Sequence, residues 1–290
     1  MRYRSFGDRS ATMSALTLRL DDSRHKGSVN DWRDFVFAAL EAGVNSFEIG
    51  CPSPRMLNGV AEAFAAVERR LFLATWRTGL GGGELEIRHR VRDLAHSLGL
   101  QQLDLLVLDV ETPLQDPGLV ADLRQTGVAR WLAVAGPAGI LDESIIGGQF
   151  DGLALPLDPQ GSWNERNRIR AAGARGMGVI ALEVSLEFGS LETGAKPGLL
   201  QRLTGRGAQT SQPAFRVDVP GWTEQQVAIA HALTDPCISS VVVQTNCTPT
   251  LEDLAWSVER DLPAGAQAQI EMARFSNGVE PTLERRRARR

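Results

Sequence analysis

The chain has 290 residues, 31 basic against 35 acidic side chains and 43% apolar residues, proportions that fit one large globular domain or two small ones and exclude collagen, coiled coil and disorder. No run of 18 uncharged apolar residues occurs, and the opening Arg2, Arg4, Asp8 and Arg9 is unlike a signal peptide, so a cytoplasmic protein without a membrane segment is expected. Cys51, Cys237 and Cys247 form no CxxC pair, which supports neither a disulfide framework nor a metal site, and the net charge of −4 argues against nucleic acid as a partner.

Residues 1–11 are predicted to form a small hairpin closing the bottom of the fold. Short apolar, β-branched runs then alternate with stretches of helical period. Strands are predicted at 14–20, 44–49, 71–76, 103–110, 130–135, 152–157, 178–184 and 239–245. After the first, a helix begins near Asn30, lays Trp32, Phe35, Val36, Ala39 and Leu40 on one face and stops at Gly43. The triple glycine 81–83 lacks the lysine and hydroxyl of a phosphate loop and reads as a turn. In 84–98, Ile87, Val91, Leu94 and Leu98 make one stripe, with Arg88, Arg90, Arg92 and Asp93 outside it. The segment 185–221 is long and irregular, as lids and binding loops are. A last helix over 248–262 packs Leu251, Leu254, Ala255 and Val258. Beyond Pro263 the period fades into a surface segment that ends in a solvated arginine cluster, 285–290.

Eight strands separated mostly by one helix each predict an α/β fold, a (β/α)8 TIM barrel with an N-terminal β-hairpin plug and a C-terminal surface extension. One barrel domain is expected over 1–275 and an arginine-rich tail over 276–290. In such a barrel the chemistry sits where the strands end. Those ends supply Arg19, Glu48, Trp76, Asp109, Ala135-Gly136, Leu157-Asp158, Leu182-Glu183 and Gln244-Thr245-Asn246. Glu48 and Asp109 suit acid/base chemistry of the kind that glycoside hydrolysis uses. Acids at strand ends also cap helices and pair with arginines, which is the plainer reading. The rare residues sharpen the choice: one tyrosine, Tyr3; two lysines, Lys26 and Lys196; four histidines, His25, His89, His96 and His231.

Several stretches carry a family resemblance. Residues 1–7, then Val44-Asn45-Ser46-Phe47-Glu48, resemble the hairpin and the G-[IV]-N-x-F-D-T-A motif of the aldo-keto reductases. Leu71 to Thr75, Leu103 to Leu108, Gly127 to Val134, Gly176 to Ala181, and Ser239 to Val243 followed by Leu251 to Ala255 resemble later motifs of that family, in order, across 1–262. The resemblance implies the barrel and a chemistry: a nicotinamide hydride goes to a carbonyl carbon while a tyrosine, acidified by a lysine, protonates the oxygen. An aspartate holds the lysine and a histidine orients the carbonyl. Carried over by position, the aspartate falls on Glu48, the tyrosine on Ser53, the lysine on Trp76 and the histidine on Asp109. Ser53 is a far weaker acid than a phenol, and Trp76 is expected to plug substrate space.

The resemblance places the family's nicotinamide grip on Ala135-Gly136, its glutamine on Ala154 and its stacking tyrosine on Leu182. Candidate dinucleotide contacts are then Arg19, Leu182, Glu183, Gln244, Thr245, Asn246 and Asp253, with Leu254 replacing an asparagine. Arg19 stands where the family has a glycine beside the cofactor, and there it either blocks nicotinamide or bridges Glu48. With no basic residue in 246–250 for a 2′-phosphate, NAD(H) is expected over NADP(H), bound without catalysis. The functional expectation is a catalytically inactive, NAD(H)-responsive regulator acting through protein partners, similar to a degenerate oxidoreductase homologue of bacterial cell-cycle and cell-division control. That similarity implies a division-ring tubulin homologue and a cell-fate histidine kinase as partners. Two alternatives stay open: an oxidoreductase or other enzyme with a rebuilt, non-tetrad site on Glu48 and Asp109, marked by a carboxyl titrating high, and a scaffold marked by an apolar patch near Trp76 or the 185–221 segment.

Overall fold

The computed structural model describes residues 1–8, 11–23, 27–79, 84–110, 118–157, 163–182, 184, 217 and 219–278, with backbone alone at 84–85 and 274–278. The expected turn at 81–83, most of the 185–221 segment, Glu183, His25, both lysines and the arginine cluster lie outside these residues.

The chain opens with the antiparallel pair β1 (Tyr3–Ser5) and β2 (Thr12–Ser14). Eight parallel strands follow: β3 (Leu16–Leu20), β4 (Ser46–Ile49), β5 (Leu73–Arg77), β6 (Leu103–Asp109), β7 (Ala129–Ala135), β8 (Gly152–Pro156), β9 (Gly178–Leu182) and β10 (Ile238–Gln244). They close into a barrel in chain order, with β10 pairing back onto β3. The helices between them are α1 (Val29–Glu41), α2 (Pro54–Ala65), α3 (Glu84–Ser97), α4 (Leu119–Thr126), α5 (Ala138–Gly147), α6 (Trp163–Ala174) and α7 (Glu224–Ala232), followed by α8 (Thr248–Ser257) and α9 (Ala264–Gly278). All eight predicted strands are present to within a few residues.

Local chemistry sets the helix starts. Ser28 and Asp31 exchange bonds in a capping box at α1, and Thr223 with Gln226 does the same at α7. Ser53 Oγ accepts from the Met56 N–H at 3.2 Å and caps α2, with Pro54 at the first helical position.

Packing separates by strand parity into two apolar layers. Outward side chains such as Leu18, Phe47, Ala74, Leu106 and Val241 meet the helices in the main core. Inward ones, including Leu105, Val107, Trp131, Ala133, Ile180 and Leu182, fill the barrel together with Phe6 and Met13 of the hairpin. Phe6 is fully buried, and its ring occupies the space that a side chain would need at Gly178 or Gly152, where a Cβ would lie 2.5 Å from Phe6 Cζ. Those two strand starts therefore require glycine, and the hairpin is a plug in the physical sense.

Two expectations about the last 40 residues change. The helix that starts at Thr248 ends at Ser257 rather than at 262. The stretch beyond Pro263 is helical, and its Ala266 and Ile270 are buried in a third cluster with Val217, Val219, Val227, Ala228 and Ala230. Over 264–273, where side chains are described, Ala266 and Ile270 are the buried positions, four residues apart, and Glu271 adds an ion pair to Arg166, too sparse an apolar stripe to stand out among alternating Ala and Gln residues.

Candidate functional site

The C-terminal ends of β3 to β6 bring four charged side chains into one layer at the barrel mouth. Arg19 of β3 is paired in register with Glu48 of β4, and its guanidinium bonds the Glu48 carboxylate and, at 3.2 Å, Asp21. Arg77, the last residue of β5, lies across from them, with Nε 3.9 Å from Glu48 and 3.7 Å from Asp109 at the end of β6. Below this layer, on the side of β3, β4 and β10, the interior carries neutral hydroxyls. Thr17 meets the Ser46 hydroxyl at 3.0 Å and the Ser240 hydroxyl at 2.7 Å. Above it opens a cavity of about 400 Å³, lined by Arg19, Asp21, Arg77, Leu182, Gln225 and Gln244 among others.

Glu48 is 1% exposed, and burial pushes its carboxyl above the usual range, with the charges of Arg77 and Arg19 offsetting part of that rise. For Arg19, burial works against the charge, but Glu48 and Asp21 outweigh it and raise its pKa. Burial likewise opposes the Asp21 charge, yet hydrogen bonds from Ser23 and Arg19 hold that carboxyl below its ordinary value. The layer is a buried ion-pair network in which Arg19 answers Glu48. Of the two outcomes open for Arg19, the bridge to Glu48 is the one observed.

No protein-family model matches the chain, and no curated protein matches it. Among solved structures, the aldo-keto reductase AKR11C1 from Bacillus halodurans, in its holo form, superposes with a TM-score of 0.72 over 94% of this chain and 96% of that one, at 15% identity. The fold is that of the aldo-keto reductases. The four positions that the sequence resemblance picked out can be located in this fold one by one.

Glu48 faces the mouth as the strand pattern requires. Asp109 also faces it, and the Asp109 N–H donates to Thr78 Oγ1 at 2.9 Å. Ser53 is used as the N-cap of α2. Trp76 departs from expectation: its side chain is 5% exposed, belongs to the core between barrel and helices, and carries the Arg90 guanidinium 5.2 Å above its ring. It fills no substrate space, and it offers no exposed apolar patch for the scaffold reading. The inward position at the end of β5 is Arg77, one residue on. A slip of one residue in a strand exchanges inside for outside, so a match by motif alone assigned the wrong face.

The remaining expected contacts divide. Leu182 and Gln244 line the mouth cavity. Thr245 Oγ1 is turned back to accept from the Cys247 N–H at 3.2 Å. Asn246 lies apart from the mouth, in a cavity of about 430 Å³ shared with Asp31, Trp32, Asp34, Phe35 and Thr248. Asp253 is exposed on α8, where its carbonyl accepts from Gln226 Nε2 at 3.3 Å. Glu183 lies outside the described residues.

A dinucleotide fits this donor set at one end. Ala135, Gly136, Ala154 and Leu182 offer no side-chain hydrogen bond to a carboxamide. The Gln244 and Asn246 side chains can serve ribose and phosphate oxygens, whereas Asp31 and Asp34 beside Asn246 disfavour a further phosphate there. Arg77, Asp21 and Gln225 are mouth residues to which the sequence assigned no role. Arg77 had a signal all the same, since charge at the end of an otherwise apolar strand points to the barrel opening.

Among the described residues no helix is long and apolar enough to cross a membrane, and no group of histidine, cysteine and carboxylate side chains has metal-ligand geometry.

Proposed function

We propose that this barrel does not reduce carbonyls and serves as an NAD(H)-responsive regulator that acts through protein partners. One observation carries the reading. The sole tyrosine, Tyr3, sits in the plug at the far end of the barrel, where its hydroxyl donates to the Gly43 carbonyl at 2.9 Å. Carbonyl reduction needs a group that releases a proton near neutrality and takes it back. The mouth presents guanidinium groups, which keep their protons, and carboxylates held in ion pairs. Hydride transfer to a carbonyl would leave an alkoxide beside Glu48 and Asp109, with no phenol among the described mouth residues to protonate it.

Nucleotide would be held at its outer half by Gln244 and Asn246, with the bare Ala135-Gly136 wall leaving the nicotinamide end ungripped. When bound, such a cofactor supplies hydride chemistry, and the one tyrosine is at the far end of the barrel from it. The finer reading is a degenerate member similar to bacterial oxidoreductase homologues of the KidO type, with a division-ring tubulin homologue and a histidine kinase as partners; it rests on the sequence resemblance and on the emptied tetrad.

The upward-shifted Glu48 carboxyl favours a second reading, an enzyme with a rebuilt site in which Glu48 is the acid. Calorimetric titration with NADH and NADPH separates these. Saturable NADH binding, with NADPH weaker, supports the regulator. Absence of both removes nucleotide sensing and leaves the rebuilt enzyme.

A further inference from the structure

Arg77 has more to give than the ion-pair network takes. Its side chain is 21% exposed, yet it makes no hydrogen bond to any described residue, and both neighbouring carboxylate oxygens stand beyond bonding distance, at 3.9 and 3.7 Å. Arg19 is engaged by contrast, bonded to Glu48 and to Asp21. A guanidinium carries five N–H donors in a planar fork and cannot shed its charge, so one whose carboxylate neighbours stand beyond hydrogen-bond distance keeps donors for a further anion.

The space in front of it has a defined character. The cavity of about 400 Å³ is lined by Gln225 and Gln244 as well as Arg77, with Leu182, Val184 and Val242 supplying apolar wall. Its dimensions suit a molecule of a few carbons with one charged end. Arg19 bonds Asp21 and Glu48, and Asp109, which has a further partner, is the carboxylate with which an incoming oxyanion competes for Arg77. Arg19 answers Glu48, and an oxyanion that bonds the Arg77 fork replaces only long contacts.

We propose that the mouth binds a small organic carboxylate, its charged end on the Arg77 guanidinium and its carbon body against Leu182, Val184 and Val242. The proposal rests on reading the mouth as a non-reducing site, since the carboxylate occupies the place a reducible carbonyl would take.

The test is calorimetric titration of the nucleotide-free protein with lactate, pyruvate and acetate, and with methyl lactate as the neutral counterpart. Wild type is expected to bind at least one acid saturably and the ester not at all. Arg77→Met should weaken that binding by ~10-fold or more, the loss of one charge-assisted bond, with Arg77→Lys intermediate and exposed Arg92→Met unchanged. Equal binding of acid and ester, no binding of any acid, or an unaltered affinity in Arg77→Met overturns the proposal. The acid-ester comparison on wild type stands even if Arg77→Met fails to fold. Pyruvate with NADH, followed at 340 nm as a spectroscopic check, separates the two claims: turnover overturns the non-reducing reading, whereas silence with no acid bound overturns the carboxylate site alone.

Discussion

Replacing Arg19 by methionine isolates the ion pair that organises the mouth. Methionine keeps much of the stem but leaves Glu48, 1% exposed, with Arg77 at 3.9 Å as the remaining cation among the described residues. Removing one partner of a buried pair costs about 3–5 kcal/mol; with Arg19 one-fifth exposed and Arg77 remaining, about 2–3 kcal/mol is expected at pH 8. The pH dependence is the distinctive part. The Glu48 carboxyl already titrates above its ordinary 4.5 in the folded protein, so the folded state holds that proton more tightly than the unfolded one. The stability tied to this proton is fully present below 4.5 and is lost as pH rises through the raised folded value. Losing Arg19 raises that value further, so the deficit of Arg19→Met should shrink from pH 8 toward pH 5, by up to about 1.4 kcal/mol per pH unit over which only the folded state is protonated. Urea denaturation at the two pH values measures it. Adding Glu48→Gln should recover most of the loss at pH 8. A deficit independent of pH, or no recovery by Glu48→Gln, refutes the reasoning.

Other substitutions probe the frame around the site. Phe6→Ala empties the plug of a fully buried ring and should cost about 3–5 kcal/mol in urea denaturation, while Gly178→Ala, which forces a Cβ into that ring, should cost about 1–3 kcal/mol. Trp76→Lys should destabilise by more than about 3 kcal/mol and create no reductase activity, because position 76 faces the helices; a folded, active Trp76→Lys protein would place it at the mouth instead. Ile270→Ala should cost about 2–4 kcal/mol if α9 belongs to the cooperative fold, and a loss under 0.5 kcal/mol would mark α9 as an appendage.

The barrel was legible because each strand is an apolar run flanked on both sides by turn or helix signals, the pattern of a sheet buried on both faces. The mouth was legible only as far as residue identity goes. Glu48 and Asp109 point inward because they fall two and four residues, an even count, from other inward positions, Ser46 and Leu105. Position 76 or 77 is a matter of a single residue of phase, which no motif comparison at 15% identity resolves and the pairing of β5 with β4 and β6 does. The tight Arg19–Glu48 pair needed the register of β3 on β4, where the two residues are direct neighbours. Helix α9 was missed because, among its described side chains, Ala266 and Ile270 alone make the apolar packing face.

The account stands on the absence of a tyrosine from the mouth, and hydride transfer tests its consequence directly. Purified protein at high concentration, given NADH or NADPH and a panel of aldehydes and ketones, is expected to oxidise neither nucleotide above the protein-free rate at any pH from 5 to 9. Oxidation that saturates with substrate and vanishes in Glu48→Gln would contradict it, and would assign to Glu48 the proton that no tyrosine is there to give.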